Sequence, residues 1–315
     1  MLRIFFKFAL ALEAHVDDGF RVLSADQQRS LYWQRIPWWM YPNVMSLDAP
    51  LLALLWLYVF ADYWDVSYVD PLLAVVLPLV VWLIYSFDRL VDSSLHKECK
   101  FPLRHRFHQR HKKIFIGCIA VVALLVAVLS LNFLQWSVVQ SAMAPVAATV
   151  GFFMLSFFSE PGKRVSYAKN LMAGFAFAWG VGAGLVGLDL SMNIFAKLLS
   201  REMLCFGLLC VINITAVDLW VKGSNELDAD LDEWALTLAL VVLGLFCMLF
   251  MGLKVHRMDD PFYVAILIAA ALMYVINRSR ARMSADFLRI AADLVLLVSA
   301  ASYWLLRDLN PPAKF

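Results

Sequence analysis

The chain has 315 residues, of which 62% are hydrophobic and only 17% charged, and its mean hydropathy of +0.72 lies far outside the range of a soluble domain. That composition excludes a water-soluble globular protein, and a net charge of +2 is too small to indicate a nucleic-acid partner. The five cysteines, Cys99, Cys118, Cys205, Cys210 and Cys247, include no CxxC pair and four lie inside apolar runs, so they mark neither a disulfide framework nor a zinc site.

The first stretch, "MLRIFFKFALALEAHVDDGF", turns charged after a short apolar run and lacks a small-residue cleavage site. It reads as an amphipathic helix lying on the membrane rather than a cleavable signal peptide. Residues 1–44 are expected to form this N-terminal segment and residues 45–315 one transmembrane domain. Beyond it come about nine apolar stretches, each near the roughly 20 residues that a helix needs to cross a bilayer core of about 30 Å. They fall near 48–64, 70–87, 114–134, 138–158, 170–190, 203–221, 234–253, 261–277 and 286–306. Barrel strands would show a period-2 pattern over about ten residues, so the expectation is an all-α integral membrane protein. Summed over alternate loops, one side receives roughly 20 Lys and Arg and the other about 6. This places the N-terminus in the cytoplasm and the C-terminus outside, in a multi-pass protein of a bacterial inner (plasma) membrane.

The second stretch ends in "YSFDRLVDSSLHKE", with Asp88 and Asp92 one helical turn apart. At spacing i, i+4 the two carboxylates share a helix face and repel unless a cation lies between them. Magnesium suits the place, because it takes one or two carboxylates together with substrate phosphate oxygens. The plainer reading is a charged helix end with Arg89 and Lys97 as counter-charges. A cationic loop, "HKECKFPLRHRFHQRHKK", follows on the same side. In it His105, His108 and His111 recur every three residues; with six histidines in the whole chain there are too few for the several histidine boxes of a di-iron enzyme, and they read as part of a basic loop. Further along, "SEPGKRVSYAKNLMAG" brings Lys163, Arg164 and Lys169 to that side, and "VINITAVDLW" brings Asn213 and Asp218. The acids of "NELDADLDE" (Asp228, Asp230, Asp232) read as solvated charge favourable at a helix start. Asp293, inside the last stretch, reads first as an ion pair with Arg289 and second as a functional carboxylate.

"IYSFDRLVD", the Lys163-Arg164 pair and Gly174 together resemble the UbiA-type intramembrane prenyltransferase superfamily, whose members have nine transmembrane helices and two Asp-rich motifs, after the second and sixth helices. The first commonly reads NDxxDRxxD, and Asp88, Arg89 and Asp92 match its last three signature positions. Ile84 and Tyr85 stand where the family has Asn and Asp, and Asn213 where an Asp is typical; Asp218 is followed four residues later by Lys222 instead of a second Asp. The resemblance implies a UbiA-like bundle and Mg²⁺-dependent transfer of an isoprenyl group from an isoprenyl diphosphate to an aromatic or lipid acceptor at the cytoplasmic face. It implies Asp88 and Asp92 as metal ligands, with Asp218 joining them in catalysis. Arg89, Lys163, Arg164, Lys169, Asn213 and Lys222 would contact the diphosphate. A catalytically degenerate relative that binds a lipid or partner is the alternative, since the second motif is altered. A secondary transporter fits less well, because its polar groups belong near the membrane midplane.

Overall fold

The computed structural model describes residues 38–95, 107–108, 110–158, 167–188, 193–222, 226–253 and 260–309. The N-terminal amphipathic stretch, Lys97, His105, Lys163 and Arg164 lie outside the described residues. The chain divides into a unit of residues 1–41, of which Trp38–Met40 form a single 3₁₀ turn, and a unit of residues 42–315 that holds every long helix. The described part of the second unit is helical, with no strand among the described residues.

In chain order its helices are α1 (Asp48–Tyr63), α2 (Pro71–Leu95), α3 (Lys112–Asn132), α4 (Trp136–Ser141), α5 (Met143–Phe158), α6 (Tyr167–Leu188), α7 (Ile194–Leu198), α8 (Arg201–Lys222), α9 (Glu226–Gly252), α10 (Pro261–Ser279) and α11 (Ala285–Leu309). A helix lies at every expected stretch. Eight are long and apolar enough to cross a membrane, with α4 and α5 together making one of them, so the chain is a multi-pass integral membrane protein. The break at Ala142 has a local cause: Pro145 has no N–H to offer the Ser141 carbonyl, so the helical ladder is interrupted there.

The exception is α1, whose 16 residues span only about 24 Å. Its surroundings explain why it need not reach across lipid. Ala53, Trp56, Leu57, Val59 and Phe60 are fully buried, and α1 packs against α2, α6 and α11. Trp56 stacks on Phe206 of α8 with ring centroids 4.1 Å apart and donates its indole N–H to the Leu296 carbonyl of α11 at 3.3 Å. The opposite case is α3, where Phe115 is the one buried residue and Val121, Leu124 and Leu131 are about two-thirds exposed. Apolar side chains turned outward along a whole helix belong against lipid.

Helix α6 sits between α5 and α8 and also reaches α1 and α2. Because lipid is as apolar as leucine, close backbone packing and interhelical hydrogen bonds carry much of the association of such helices. Gly174 shows this directly. A Cβ there would lie 2.6 Å from the Val211 nitrogen and 2.8 Å from its Cα, so only glycine lets α6 approach the α8 backbone at this level.

Candidate functional site

Neighbouring long helices alternate in direction, and hydrogen bonds show which ends meet. The last turns of α2, α8 and α10 and the first turns of α1, α6, α9 and α11 form one end of the bundle. Asn213 of α8 donates to the Ala292 carbonyl of α11 at 2.7 Å, Trp220 to Asn277 of α10 at 3.0 Å, and Arg278 and Arg280 pair with Glu233 of α9.

On α2, Asp88 is half-buried and Asp92 follows one turn along the same helix. Between them Arg89 is only 4% exposed. Its Nη1 donates to the Asn43 carbonyl at 2.5 Å and to Ser46 Oγ at 2.6 Å. Trp82, two turns earlier, donates to the Met45 carbonyl at 3.1 Å. The segment before α1 is thereby clamped to α2, and Ser46 holds a left-handed φ of 58°. A buried guanidinium requires such partners. Arg89 is thus a buried clamp on segment 43–46 and not a solvated counter-charge.

On α8, Asp218 is half-buried and accepts a hydrogen bond at 3.2 Å from Asn170 of α6, whose amide also reaches Thr215 at 3.3 Å. Asn170 itself is 2% exposed. One residue before it, Lys169 places its ammonium 5.0 Å from the centre of the Phe152 ring, a cation–π contact to α5. Lys222 is the last residue of α8. The side chains of Asp92 and Lys222 fall outside the described set.

Between these elements lies a cavity of about 30 Å³, lined among others by Tyr85 of α2, Phe177 of α6, Cys210 and Asn213 of α8, and Asp293 and Leu296 of α11. Asp293 accepts from Asn43 Nδ2 at 3.3 Å, and the same amide donates to Asp48 at 2.5 Å. Arg289 pairs with Asp286 at 3.4 Å. Asn43, Asp48 and Asn170 were not among the residues singled out from the sequence. The available signal was a general one: polar residues at the edges of apolar spans are costly unless they have a task or a partner.

Among the described residues no group of three or more His, Cys, Asp or Glu side chains is arranged to hold a metal ion. Of the three loop histidines, His108 and His111 are described, and neither is solvated. His108 is fully buried against Phe115, ring centroids 4.1 Å apart, and His111 is 6% exposed against Phe107 at 4.6 Å. Burial and then the charge of Arg110 push His111 down to about 4.

At the opposite end Tyr63 donates to Asp260 at 3.0 Å, Trp64 to Glu202 at 2.8 Å and Tyr303 to Asp62 at 2.6 Å. Asp260 also accepts from the Phe262 N–H as the cap of α10. These bonds tie helix ends together and enclose none of the expected site residues. No protein-family model, curated protein or solved structure matches this chain.

Proposed function

We propose that this chain is a prenyltransferase-like membrane protein that takes an isoprenyl diphosphate at the end of the bundle carrying Asp88 and Asp218. One observation carries the reading. Tyr85 and Asn213, which occupy the altered positions of the two motifs, line a single cavity although they are 128 residues apart, and α6 bridges the two helices that bear them. In this reading α1 is the first of nine membrane helices, the Asp88 end faces the cytoplasm and the C-terminus lies outside.

Asp88 and Asp92 would hold Mg²⁺, which when bound neutralises diphosphate charge. The chain's own cations do the rest. Lys169, with Lys163, Arg164 and Lys222 from the same end, draws in the diphosphate and stabilises charge on it as the allylic C–O bond breaks and its electron pair leaves with the diphosphate. Arg89 positions: it holds segment 43–46 against α2 and so fixes the site's wall. Apolar side chains of the helices exclude water from the developing carbocation until an acceptor captures it. Asn213, bonded to the Ala292 carbonyl, serves the cavity's shape.

That same bond favours a second reading, a catalytically degenerate relative that retains lipid binding, because Asn213 and Tyr85 supply no carboxylate for a second metal. The deciding experiment incubates purified protein in nanodiscs with labelled farnesyl diphosphate and membrane lipid, with and without Mg²⁺, for the parent, Asp88→Asn and Asp92→Asn. Mg²⁺-dependent binding and product that both variants lose support the enzyme. Binding without product supports the degenerate relative. Equal behaviour of parent and variants would reduce the motif to a charged helix end.

A further inference from the structure

No spacing in the sequence pairs the cysteines, but the fold brings two of them together. Cys205 of α8 and Cys247 of α9 stand 42 residues apart in the chain. Both are fully buried free thiols, and the two are hydrogen-bonded to each other. Helix geometry agrees with that contact. Cys205 comes four residues after α8 begins and Cys247 five residues before α9 ends, which at about 1.5 Å per residue puts each about 6–8 Å inside its helix. The two helices run in opposite directions and pack on each other, so the thiols share one level, at the end of the bundle away from Asp88. Met203, Phe206, Leu243 and Met251, within about one turn of the thiols on the same two helices, belong to the same buried apolar core. One turn before Cys205, Glu202 acts on it electrostatically and is held in place by the Trp64 indole at 2.8 Å.

We infer that Cys205 and Cys247 form a redox site whose oxidised state is a disulfide stapling α8 to α9, and that its oxidant is a small uncharged peroxide, hydrogen peroxide being the simplest. The site is independent of the prenyl-transfer reading. In the first step one sulfur attacks a peroxide oxygen, the O–O bond breaks, and the departing oxygen leaves as water with that thiol's proton; the sulfur becomes a sulfenic acid. In the second step the other sulfur forms the S–S bond, and the sulfenic hydroxyl leaves as water with the second thiol's proton. Two thiols and one peroxide thus give one disulfide and two waters. Burial selects the reagent: two sulfurs without exposed surface in an apolar core are closed to bulky or charged oxidants and reductants, whereas a molecule of about water's size needs only a small opening at the helix ends. Closing the staple fixes the end of α8 opposite Asp218 against α9.

The test treats the purified full chain, folded in nanodiscs, with hydrogen peroxide, then blocks remaining thiols and maps the peptides by mass spectrometry. The parent is expected to lose two thiols and to yield one linked pair of peptides, carrying Cys205 and Cys247. Both thiols should return with dithiothreitol, an uncharged reductant, and much more slowly with a charged phosphine. The staple closes a loop of 42 residues and should raise the unfolding temperature by about 5–10 °C. Cys205→Ala and Cys247→Ala should each abolish the linked peptide and that rise, and leave the remaining cysteine as a sulfenic acid that a dimedone probe captures. Cys118→Ala should leave the link intact. The linked peptide is read in the parent, so an alanine variant that does not fold leaves the test standing. Thiols that stay reduced in the folded parent and oxidise only once it is unfolded would overturn the redox site and make the pair core packing alone. A link from either residue to Cys99, Cys118 or Cys210 would overturn the pairing.

Discussion

The side-chain amide of Asn213 donates to the main-chain carbonyl of Ala292 at 2.7 Å, so the position at which a metal-binding carboxylate would be expected is occupied by a clamp between α8 and α11. Asn213 is 5% exposed and the carbonyl it serves is one residue from Asp293. A carboxylate there would set acceptor against acceptor. Asn213→Asp is therefore expected to destabilise the protein by about 2 kcal/mol, the cost of an unsatisfied buried polar pair. Asn213→Ala should cost less, because it leaves only one group unpaired. Thermal unfolding in detergent checks the order; an Asp variant as stable as the parent would mean that α11 moves freely away from α8.

Arg89 is buried on α2 and holds the segment before α1. With its guanidinium buried on the Asn43 carbonyl and Ser46 Oγ, Arg89→Ala leaves two acceptors and a void, and a loss of about 3 kcal/mol is expected, as for other broken buried charge networks. Ser46→Ala removes one neutral partner and should cost about 1 kcal/mol. Arg89→Lys should fall between them, since one ammonium cannot reproduce the planar fork. If Arg89 instead contacts the diphosphate directly, Arg89→Ala will abolish binding at unchanged melting temperature, and the two readouts separate the cases.

The helices were legible because each apolar run has a length close to the bilayer's requirement and because Asp88 and Asp92 mark where α2 leaves the apolar zone. At Gly174 the Val211 backbone leaves no room for a side chain, a packing reason that holds whatever the family. What could not be read is where polar side chains turn. The bond from Asn43 to Asp293 spans 250 residues and that from Asn170 to Asp218 spans 48, and no local period encodes either. Arg89 looked like surface charge because the segment that covers it, the end of the short helix Tyr41–Val44 and the turn at Ser46, carries no pattern that announces the contact. His108 and His111 were misread likewise: each packs on an aromatic ring, Phe115 and Phe107, that no local spacing announces.

That burial has a pH consequence. His111 is held down to about 4, first by burial and then by Arg110, against an ordinary value of 6.5. Above pH 6.5 the ring is neutral in both folded and unfolded chains and pH has no effect through it. As pH falls from about 6.5 to about 4 the unfolded chain takes up a proton that the folded one refuses, so stability declines; below about 4 both are protonated and the decline stops. The total is of the order of 1–3 kcal/mol. His111→Phe should flatten this part of the stability profile. A variant profile that tracks the parent between pH 6.5 and 4 would assign the decline to other groups.

The end of the bundle away from Asp88 supplies the control that these experiments need. Asp62, in the last turn of α1, receives the Tyr303 hydroxyl at 2.6 Å and pairs with Arg307 at 2.5 Å, so one carboxylate latches α1 to α11. Its side chain is 14% exposed and that of Arg307 37%, which makes the two partners unequal. Asp62→Ala strands a buried hydroxyl and is expected to cost about 2 kcal/mol. Arg307→Ala removes a cation that water already screens and should cost at most about 1 kcal/mol. Tyr303→Phe should cost about 1 kcal/mol, and in the double variant with Asp62→Ala the two losses should add to less than their sum, because one bond is counted in both. Since α1 carries Asp62 about 20 Å along the helix from Asp48, farnesyl diphosphate binding should persist in all three variants at temperatures where they remain folded. Loss of that binding in Arg307→Ala with an unchanged melting temperature would mean that the two ends of α1 are coupled, and that the latch helps to set the position of Asn43 and Asp48 beside Asp293.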